Sequence, residues 1–188
     1  MRVVAGKYKG RTLLAPAGRD VRPTGDRVRE AMFNLLAHGD YGNGGRPVLE
    51  GASVLDAFAG SGALGFEAIS RGASRCVFME ITASTIDTLR KNADAFDVAA
   101  DVDIIKCDTT KPPRAMEPVD LVFLDPPYRE NFLVPAIAAL GEAGWIGDHT
   151  LLFAELDANE EVDLGGEATV LQDRRYGRTR VVLFRNSN

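Results

Sequence analysis

From residue 52 onward the chain alternates short apolar runs with longer segments of helical periodicity, and this constrains its fold more than any other feature. Val54-Leu55 leads into a helical segment over 64–70. Cys76-Val77-Phe78-Met79 leads into another over 84–96, and an apolar run over 102–107 follows. Residues 119–124 read as a further buried strand, followed by a helix over 131–142 and a strand at 151–154. Alternating strands and helices predict a parallel sheet with helices on both faces. The end of the chain departs from that rhythm. Residues 168–171 and 180–184 are strand-like with no helix between them, so they should pair antiparallel across Tyr176-Gly177 and make the sheet mixed.

The first 45 residues follow a different pattern. Val3-Val4-Ala5-Gly6 and Arg11-Thr12-Leu13-Leu14 flank Lys7-Tyr8-Lys9-Gly10, which predicts a short basic hairpin. Arg22-Pro23-Thr24-Gly25 breaks the chain, and Asp26 is placed to cap a helix whose apolar face is Val28, Ala31, Met32, Leu35 and Leu36. Residues 39–45 are glycine-rich and read as a flexible linker. The expected organisation is an N-terminal extension over 1–45 and a catalytic α/β domain over 46–188.

Composition narrows the function classes. The 188 residues are 45% hydrophobic and 26% charged, the balance of an ordinary soluble domain. The N-terminus is too polar for a secretory signal, and no apolar run is long enough to span a bilayer, so a cytoplasmic protein is expected. Cys76 and Cys107 fall inside predicted strands, and His38 and His149 stand apart, which points to reduced thiols and no metal site. The net charge is −5, yet residues 1–30 carry eight Arg and Lys against three acids, and residues 173–188 carry five Arg against one. Two basic ends on an acidic body form a footprint for a phosphate backbone, because local potential steers a polyanion. The same arginines could also be merely solvated.

Two motifs carry chemistry. Asp125-Pro126-Pro127-Tyr128 follows the predicted strand over 119–124. Two prolines fix φ and remove two backbone donors, leaving a stiff loop whose carbonyl oxygens have no local N–H partner. One carboxylate, one free carbonyl and one aromatic face suit a flat base with an exocyclic amine. The competing reading is a proline-rich strand exit with a solvated Asp. The second motif, residues 56–65, follows the first core strand and opens its helix. Gly60, Gly62 and Gly65 match the G-x-G-x-x-G spacing, and Glu80 lies 20 residues after Gly60. That pattern alone admits NAD. Asp56, just before the glycines, would repel a pyrophosphate and favour a cationic ligand such as a sulfonium. Asp108, after the third strand, is suited to an adenine amino group. Asp56, Glu80 and Asp108 thus crown successive strand ends, where open α/β sheets bind ligands.

With these residues in view, the chain resembles the RsmD-type bacterial methyltransferases, which methylate N2 of a guanine in small-subunit ribosomal RNA. The resemblance rests on Arg2-Val3-Val4-Ala5-Gly6 with Lys9-Gly10-Arg11, on Arg22-Pro23-Thr24-Gly25-Asp26-Arg27-Val28-Arg29-Glu30, and on Phe33-Asn34. It continues through Phe58 to Gly65, Glu67-Ala68, Ser70-Arg71-Gly72, Asp125-Pro126-Pro127-Tyr128 and Gly144-Trp145. It implies a Rossmann-like methyltransferase fold with a seven-stranded mixed sheet, to which the last hairpin adds the sixth and seventh strands. S-adenosyl-L-methionine is the implied donor, held by Asp56, Phe58, Ala59, Gly60, Ser61 and Gly62, with Glu80 and Ile81 at the ribose and Asp108 and Thr109 near adenine. Thr24 and Arg27 would close over it. Asp125, Pro126, Pro127 and Tyr128 are the implied catalytic set. Arg2, Lys7, Lys9, Arg11, Arg22, Arg29, Arg174, Arg175 and Arg178 are the candidates for gripping RNA. The implied partner is small-subunit ribosomal RNA within an assembling particle, with no metal and no membrane. An adenine-N6 methyltransferase acting on DNA is the alternative of the same chemistry.

Overall fold

The computed structural model describes residues 1–16, 25–41, 46–127, 131–161, 164 and 168–186. In chain order the elements are α1 (Asp26–His38), β1 (Ser53–Asp56), α2 (Ala63–Ser70), β2 (Arg75–Glu80), α3 (Ala83–Phe96) and β3 (Val102–Lys106), followed by β4 (Leu121–Leu124), α4 (Leu133–Glu142), β5 (Leu151–Asp157), β6 (Ala168–Tyr176) and β7 (Thr179–Asn186). One seven-stranded sheet runs β3-β2-β1-β4-β5-β7-β6. Strands β1 to β5 are mutually parallel, and β7 lies antiparallel between β5 and β6. The mixed sheet expected from the sequence is therefore present. The final hairpin is longer than its apolar cores suggest, because Arg174, Arg175, Tyr176 and Thr179 also belong to its ladder.

Alternation along the strands divides the core in two. Val54, Phe78, Leu121, Phe123 and Phe153 face one side, with Met32 and Phe33 of α1, Phe66 of α2 and Phe96 of α3. Leu55, Val77, Val122, Leu124 and Leu152 face the other, with Leu133, Ile137 and Leu140 of α4 and with Trp145. Buried aromatic rings join the first layer: Phe66 lies 4.9 Å from Phe78 and 5.5 Å from Phe96, and Phe33 lies 5.4 Å from Phe123. Among the described residues, no helix is long and apolar enough to cross a membrane.

The N-terminal segment packs into this core. Val3, Tyr8, Leu13, Met32, Phe33 and Leu36 are buried in the same cluster as the sheet. Its anchor is Glu67 of α2, whose side chain is fully buried. Its carboxylate accepts the Val4 N–H at 2.7 Å, the Ala5 N–H at 3.0 Å and Arg71 Nε at 2.7 Å. Three charge-assisted bonds offset the cost of taking this carboxylate out of water. At Gly6, φ is +81°, and a Cβ would sit 1.9 Å from the Ser70 carbonyl oxygen, so only glycine fits this approach.

The expected basic hairpin is present, with an antiparallel bridge between Arg2 and Thr12 and Lys7-Tyr8-Lys9-Gly10 in turns. Several other local expectations are corrected. Asp26 is the first residue of α1, not its cap; Gly25 precedes the helix, and Asp26 pairs with Arg29 at 2.8 Å. The buried face of α1 is Arg29, Met32, Phe33 and Leu36, which turns the helix so that Phe33 reaches Phe123 and leaves Leu35 only partly covered. Cys107 lies beyond the end of β3 and is half-buried, while Cys76 is buried within β2. Of the glycine-rich stretch, Gly39 and Tyr41 are packed, with the Tyr41 hydroxyl donating to the Leu35 carbonyl at 3.0 Å; residues 42–45 lie outside the described residues.

Replacing Glu67 with Ala strips two backbone N–H groups and Arg71 of their acceptor. The expected loss is about 3–5 kcal/mol in urea unfolding, with Glu67→Gln losing less because one oxygen acceptor survives. Equal stability of Glu67→Ala and wild type would remove this carboxylate from its anchoring role.

Candidate active site at the carboxyl edge of the sheet

Parallel strands end together, so the carboxyl ends of β2, β1, β4 and β5 form one edge of the sheet. Side-chain alternation then decides which groups meet there. Cys76 and Phe78, Val54, Leu121 and Phe123, and Leu151 and Phe153 all face the helical layer of α1, α2 and α3. Continuing the alternation puts Glu80, Asp56, Asp125 and Glu155 on that same face. Four carboxyl groups from four neighbouring strands line one edge.

The glycine turn crosses this edge between β1 and α2. The Ala57 N–H donates to the Phe123 carbonyl at 3.0 Å and the Ala59 N–H to the Met79 carbonyl at 3.0 Å, so the turn is held by the strands on both sides of β1. Gly60 and Gly62 have φ of +52° and +80°. A Cβ at Gly62 would meet Phe66 at 2.6 Å, and one at Gly65 would meet the Phe78 ring at 2.2 Å and Cys76 Sγ at 2.6 Å. These two glycines let α2 lie close on the sheet. Gly60 is different: a Cβ there meets nothing nearer than the Phe58 carbonyl at 3.9 Å, so its backbone borders open space in which a ligand can approach. Ala59 is buried, whereas Phe58 and Ser61 are half-buried. The Ser61 carbonyl accepts from Asn92 Nδ2 at 3.1 Å.

Each acid has a distinct setting. Asp56 is buried, and its Oδ2 accepts the Gly65 N–H at 3.0 Å. Burial pushes its carboxyl up to about 7; the Gly65 bond opposes this and the charge of Glu80 adds to it. Glu80 bridges two loops, accepting the Gly60 N–H at 3.1 Å and the Thr82 N–H at 2.8 Å. Ile81 beside it is 59% exposed, a large apolar side chain facing solvent. Asp108 is exposed and accepts both the Thr110 hydroxyl, at 2.7 Å, and the Thr110 N–H, at 2.9 Å. The hydroxyl first and then the amide hold its carboxyl below the ordinary range. The Thr109 hydroxyl donates to the Ala57 carbonyl, tying the exit of β3 to that of β1.

Asp125 follows β4 directly and is half-buried; Pro126 is buried and Pro127 exposed. Burial, then the neighbouring carboxylates of Glu155 and Asp56, push its carboxyl well above the ordinary range. Asp125 and the glycine turn therefore occupy the same edge on adjacent strands, the juxtaposition that a transfer between them requires. Tyr128, Thr24 and Arg22 lie outside the described residues. Arg27 is exposed on the first turn of α1.

The basic residues separate into two groups. The tip of the N-terminal hairpin packs on the carboxyl ends of α2 and α3: the Lys7 N–H bonds the Ser70 carbonyl, and Arg11 bonds the Ala95 carbonyl at 3.2 Å and lies over the Tyr8 and Phe96 rings. Helices that return between parallel strands end at the opposite edge of the sheet. Lys7, Lys9 and Arg11 are thus remote from the carboxyl edge, whereas Arg2 is exposed near Asp26, 3.7 Å away. Arg174, Arg175 and Arg178 are exposed, and the β6–β7 turn packs where β5 ends, with the Ala158 N–H bonded to the Arg178 carbonyl. These three arginines stand at the site's own edge. Arg29 is corrected outright. Its side chain is fully buried and is spent on the Arg2 carbonyl at 2.6 Å and on Asp26, so it presents nothing to a phosphate.

Sequence reasoning passed over three residues. Asn92, fully buried in α3, bonds the Leu14 N–H and carbonyl and also the Ser61 carbonyl, joining the N-terminal segment to the glycine turn. Glu67 entered only as part of a motif. Glu155 is a buried acid in an apolar strand, and that interruption of Leu151-Leu152-Phe153-Ala154 was the available signal.

The chain is similar to known proteins over nearly its whole length. Residues 1–185 match the family described as Conserved hypothetical protein 95. The chain is 32% identical over 190 residues to ribosomal RNA small subunit methyltransferase D of Haemophilus influenzae, covering 99% of this chain and 94% of that protein. It is 36% identical over 156 residues to the protein of the same name from Escherichia coli K12, covering 82% of this chain and 74% of that protein. Among solved structures, yhhF of Escherichia coli superposes with a TM-score of 0.80 at 31% identity, over 100% of this chain and 98% of that one. The chain belongs to the Conserved hypothetical protein 95 family, within which ribosomal RNA small subunit methyltransferase D is its homologue.

Proposed function

We propose that this protein methylates the exocyclic N2 amine of a guanine in small-subunit ribosomal RNA. Its family and fold make it an S-adenosylmethionine-dependent ribosomal RNA methyltransferase. The guanine-N2 target and the residue roles are our reading. The observation that carries it is Asp125 with Pro126 and Pro127 at the strand edge, one strand over from the open backbone of Gly60.

The donor set fits S-adenosylmethionine. Glu80 offers carboxylate oxygens suited to a ribose diol, exposed Ile81 an apolar face for a flat ring, and ionised Asp108 an acceptor for an amino group. Asp56 gives the turn a carboxylate that a cationic ligand would draw into its charged form. The bound donor supplies an electrophilic methyl on a sulfonium. An NAD reading fits less well, because the dinucleotide fold continues its sheet with parallel strands, whereas here an antiparallel β7 is inserted beside β5.

The chain's own residues handle the amine. The guanine N2 lone pair is delocalised into the ring. Asp125 and a carbonyl of the proline pair, which lacks N–H donors of its own, would accept the two N2 protons and hold nitrogen ready for attack. Fixed acceptors aimed at a nitrogen that gains positive charge also stabilise the transition state. Tyr128 would stack on the base, which must leave its own stack to enter. Arg174, Arg175 and Arg178 line the same edge and are our candidates for nearby phosphates; the hairpin tip could reach only a more distant part of a large RNA. We place that RNA in an assembling ribosomal particle, where unpaired bases are the usual target of RNA recognition.

Two outcomes follow. Wild-type protein transfers labelled methyl from S-adenosylmethionine into small-subunit particles, and a nucleoside digest yields N2-methylguanosine. Asp125→Ala lowers that rate by roughly 10²–10³-fold while its unfolding midpoint holds. N6-methyladenine in the digest would move the target to adenine. The second concerns Asp56, whose raised carboxyl makes the folded state bind more protons than the unfolded one. Apo stability therefore falls as pH rises from about 4 to about 7 through this group. Asp56→Asn should flatten that part of the urea-midpoint profile. It should also remove the tightening of S-adenosylmethionine binding, read by calorimetry, as pH rises through about 7.

A further inference from the structure

Asn92 lies inside α3, although asparagine favours helix ends and turns over helix interiors, and it is 0% exposed. A buried side-chain amide costs free energy unless its two N–H groups and its oxygen find partners. Here they do. Asn92 Oδ1 accepts the Leu14 N–H at 2.9 Å, while Nδ2 donates to the Leu14 carbonyl at 3.1 Å and to the Ser61 carbonyl at 3.1 Å. These partners fix which way the amide points, because a backbone N–H needs the oxygen and two carbonyls need the nitrogen. One side chain thus grips two backbone segments, 78 residues away on one side and 31 on the other.

The Ser61 bond acts on the glycine turn itself. The peptide group between Ser61 and Gly62 is held at both ends: its N–H donates to the Ala59 carbonyl at 2.7 Å, and its carbonyl accepts from Asn92. Gly60 and Gly62 flank it with φ of +52° and +80°, and glycines on both sides would let an unheld peptide plane rotate. Leu89, one turn before Asn92 on the same face of α3, packs at Gly62, where a Cβ would meet it at 2.7 Å. The stem of the turn is fastened to β4 and β2 through Ala57 and Ala59; its tip is fastened by Glu80 and by Asn92.

The Leu14 bonds act in the other direction. Leu14 is 49% exposed and directly follows the arm of the hairpin that carries Arg11. Its N–H and carbonyl both bond one amide, as two residues do across an antiparallel rung, so the path of the chain at Leu14 sets the tilt of Asn92. Displacement of either segment reaches the other through one buried side chain.

We propose that Asn92 is a positioning residue for the methyl donor: it holds the Ser61–Gly62 peptide in the binding conformation and couples donor binding to the docking of the N-terminal segment at Leu14. This rests on the reading of residues 56–62 as the donor's site. Coupling is reciprocal, so the donor and an RNA bound along the N-terminal segment raise each other's affinity by one factor.

Amide hydrogen exchange on the wild-type chain, followed by NMR with and without saturating S-adenosylhomocysteine, reads the coupling directly. The Gly60 and Gly62 amides should slow, and the Leu14 amide should slow with them by about fivefold or more. Slowing at Gly60 and Gly62 with no change at Leu14 overturns the proposal and leaves the donor site standing. No change at Gly60 or Gly62 overturns both. Asn92→Ala separates positioning from bulk stability. At a temperature where the variant is fully folded, calorimetry should give a Kd for S-adenosylhomocysteine roughly five- to tenfold above wild type. Its Leu14 amide should no longer respond to the ligand. A wild-type Kd in the folded variant, or a Leu14 response that persists, means that Asn92 only packs, and overturns the proposal. If the variant does not fold, exchange on the wild-type chain decides alone.

Discussion

The site depends on four parallel strands that run the same way and alternate in phase. Glu80, Asp56, Asp125 and Glu155 therefore share one face near the carboxyl edge, with Asp56 one inward-facing position short of the other three. Burying like charges at one edge opposes folding unless protons or partners relieve the repulsion. The solutions differ by strand. Glu80 takes backbone N–H groups from two loops, Asp56 takes one from α2 and holds its proton to about 7, and Asp125 is raised beside Glu155. The same edge thus presents ordered acceptors beside the open backbone of Gly60.

The rest of the molecule supports that edge. Gly62 and Gly65 bring α2 down on the aromatic layer of β2, which fixes the turn that leaves Gly60 open. Glu67, on the same helix, fastens the N-terminal segment through two backbone N–H groups, and Asn92 fastens it again to Ser61. The first residues of the chain therefore brace the glycine turn. Arg29 belongs to this bracing, and its positive charge is consumed inside the protein.

The strand–helix rhythm, the mixed sheet and the final hairpin were legible in the sequence because burial periodicity is a local property that survives into the fold. The glycine turn and its flanking acids were legible for a related reason: their spacing reflects a strand–turn–helix unit a dozen residues long. The capping of α1 was misread, since Asp26 has a partner three residues on that outcompetes the helix's own N–H groups. The rotation of α1 was also misread, since reaching Phe123 takes precedence over the most symmetrical apolar stripe.

Sequence alone determined the fold class, the glycine turn after β1 and the proline loop at Asp125, because each is written in contiguous residues. Only the tertiary structure decided that Arg29 is internal, that the two basic ends lie at opposite edges of the sheet, and that Glu155 stands beside Asp125. Asp125 and Glu155 lie 30 positions apart in sequence, and the two basic groups more than 160. Strand order and register set these relations, and no local pattern records which edge a returning helix or an inserted antiparallel strand will reach.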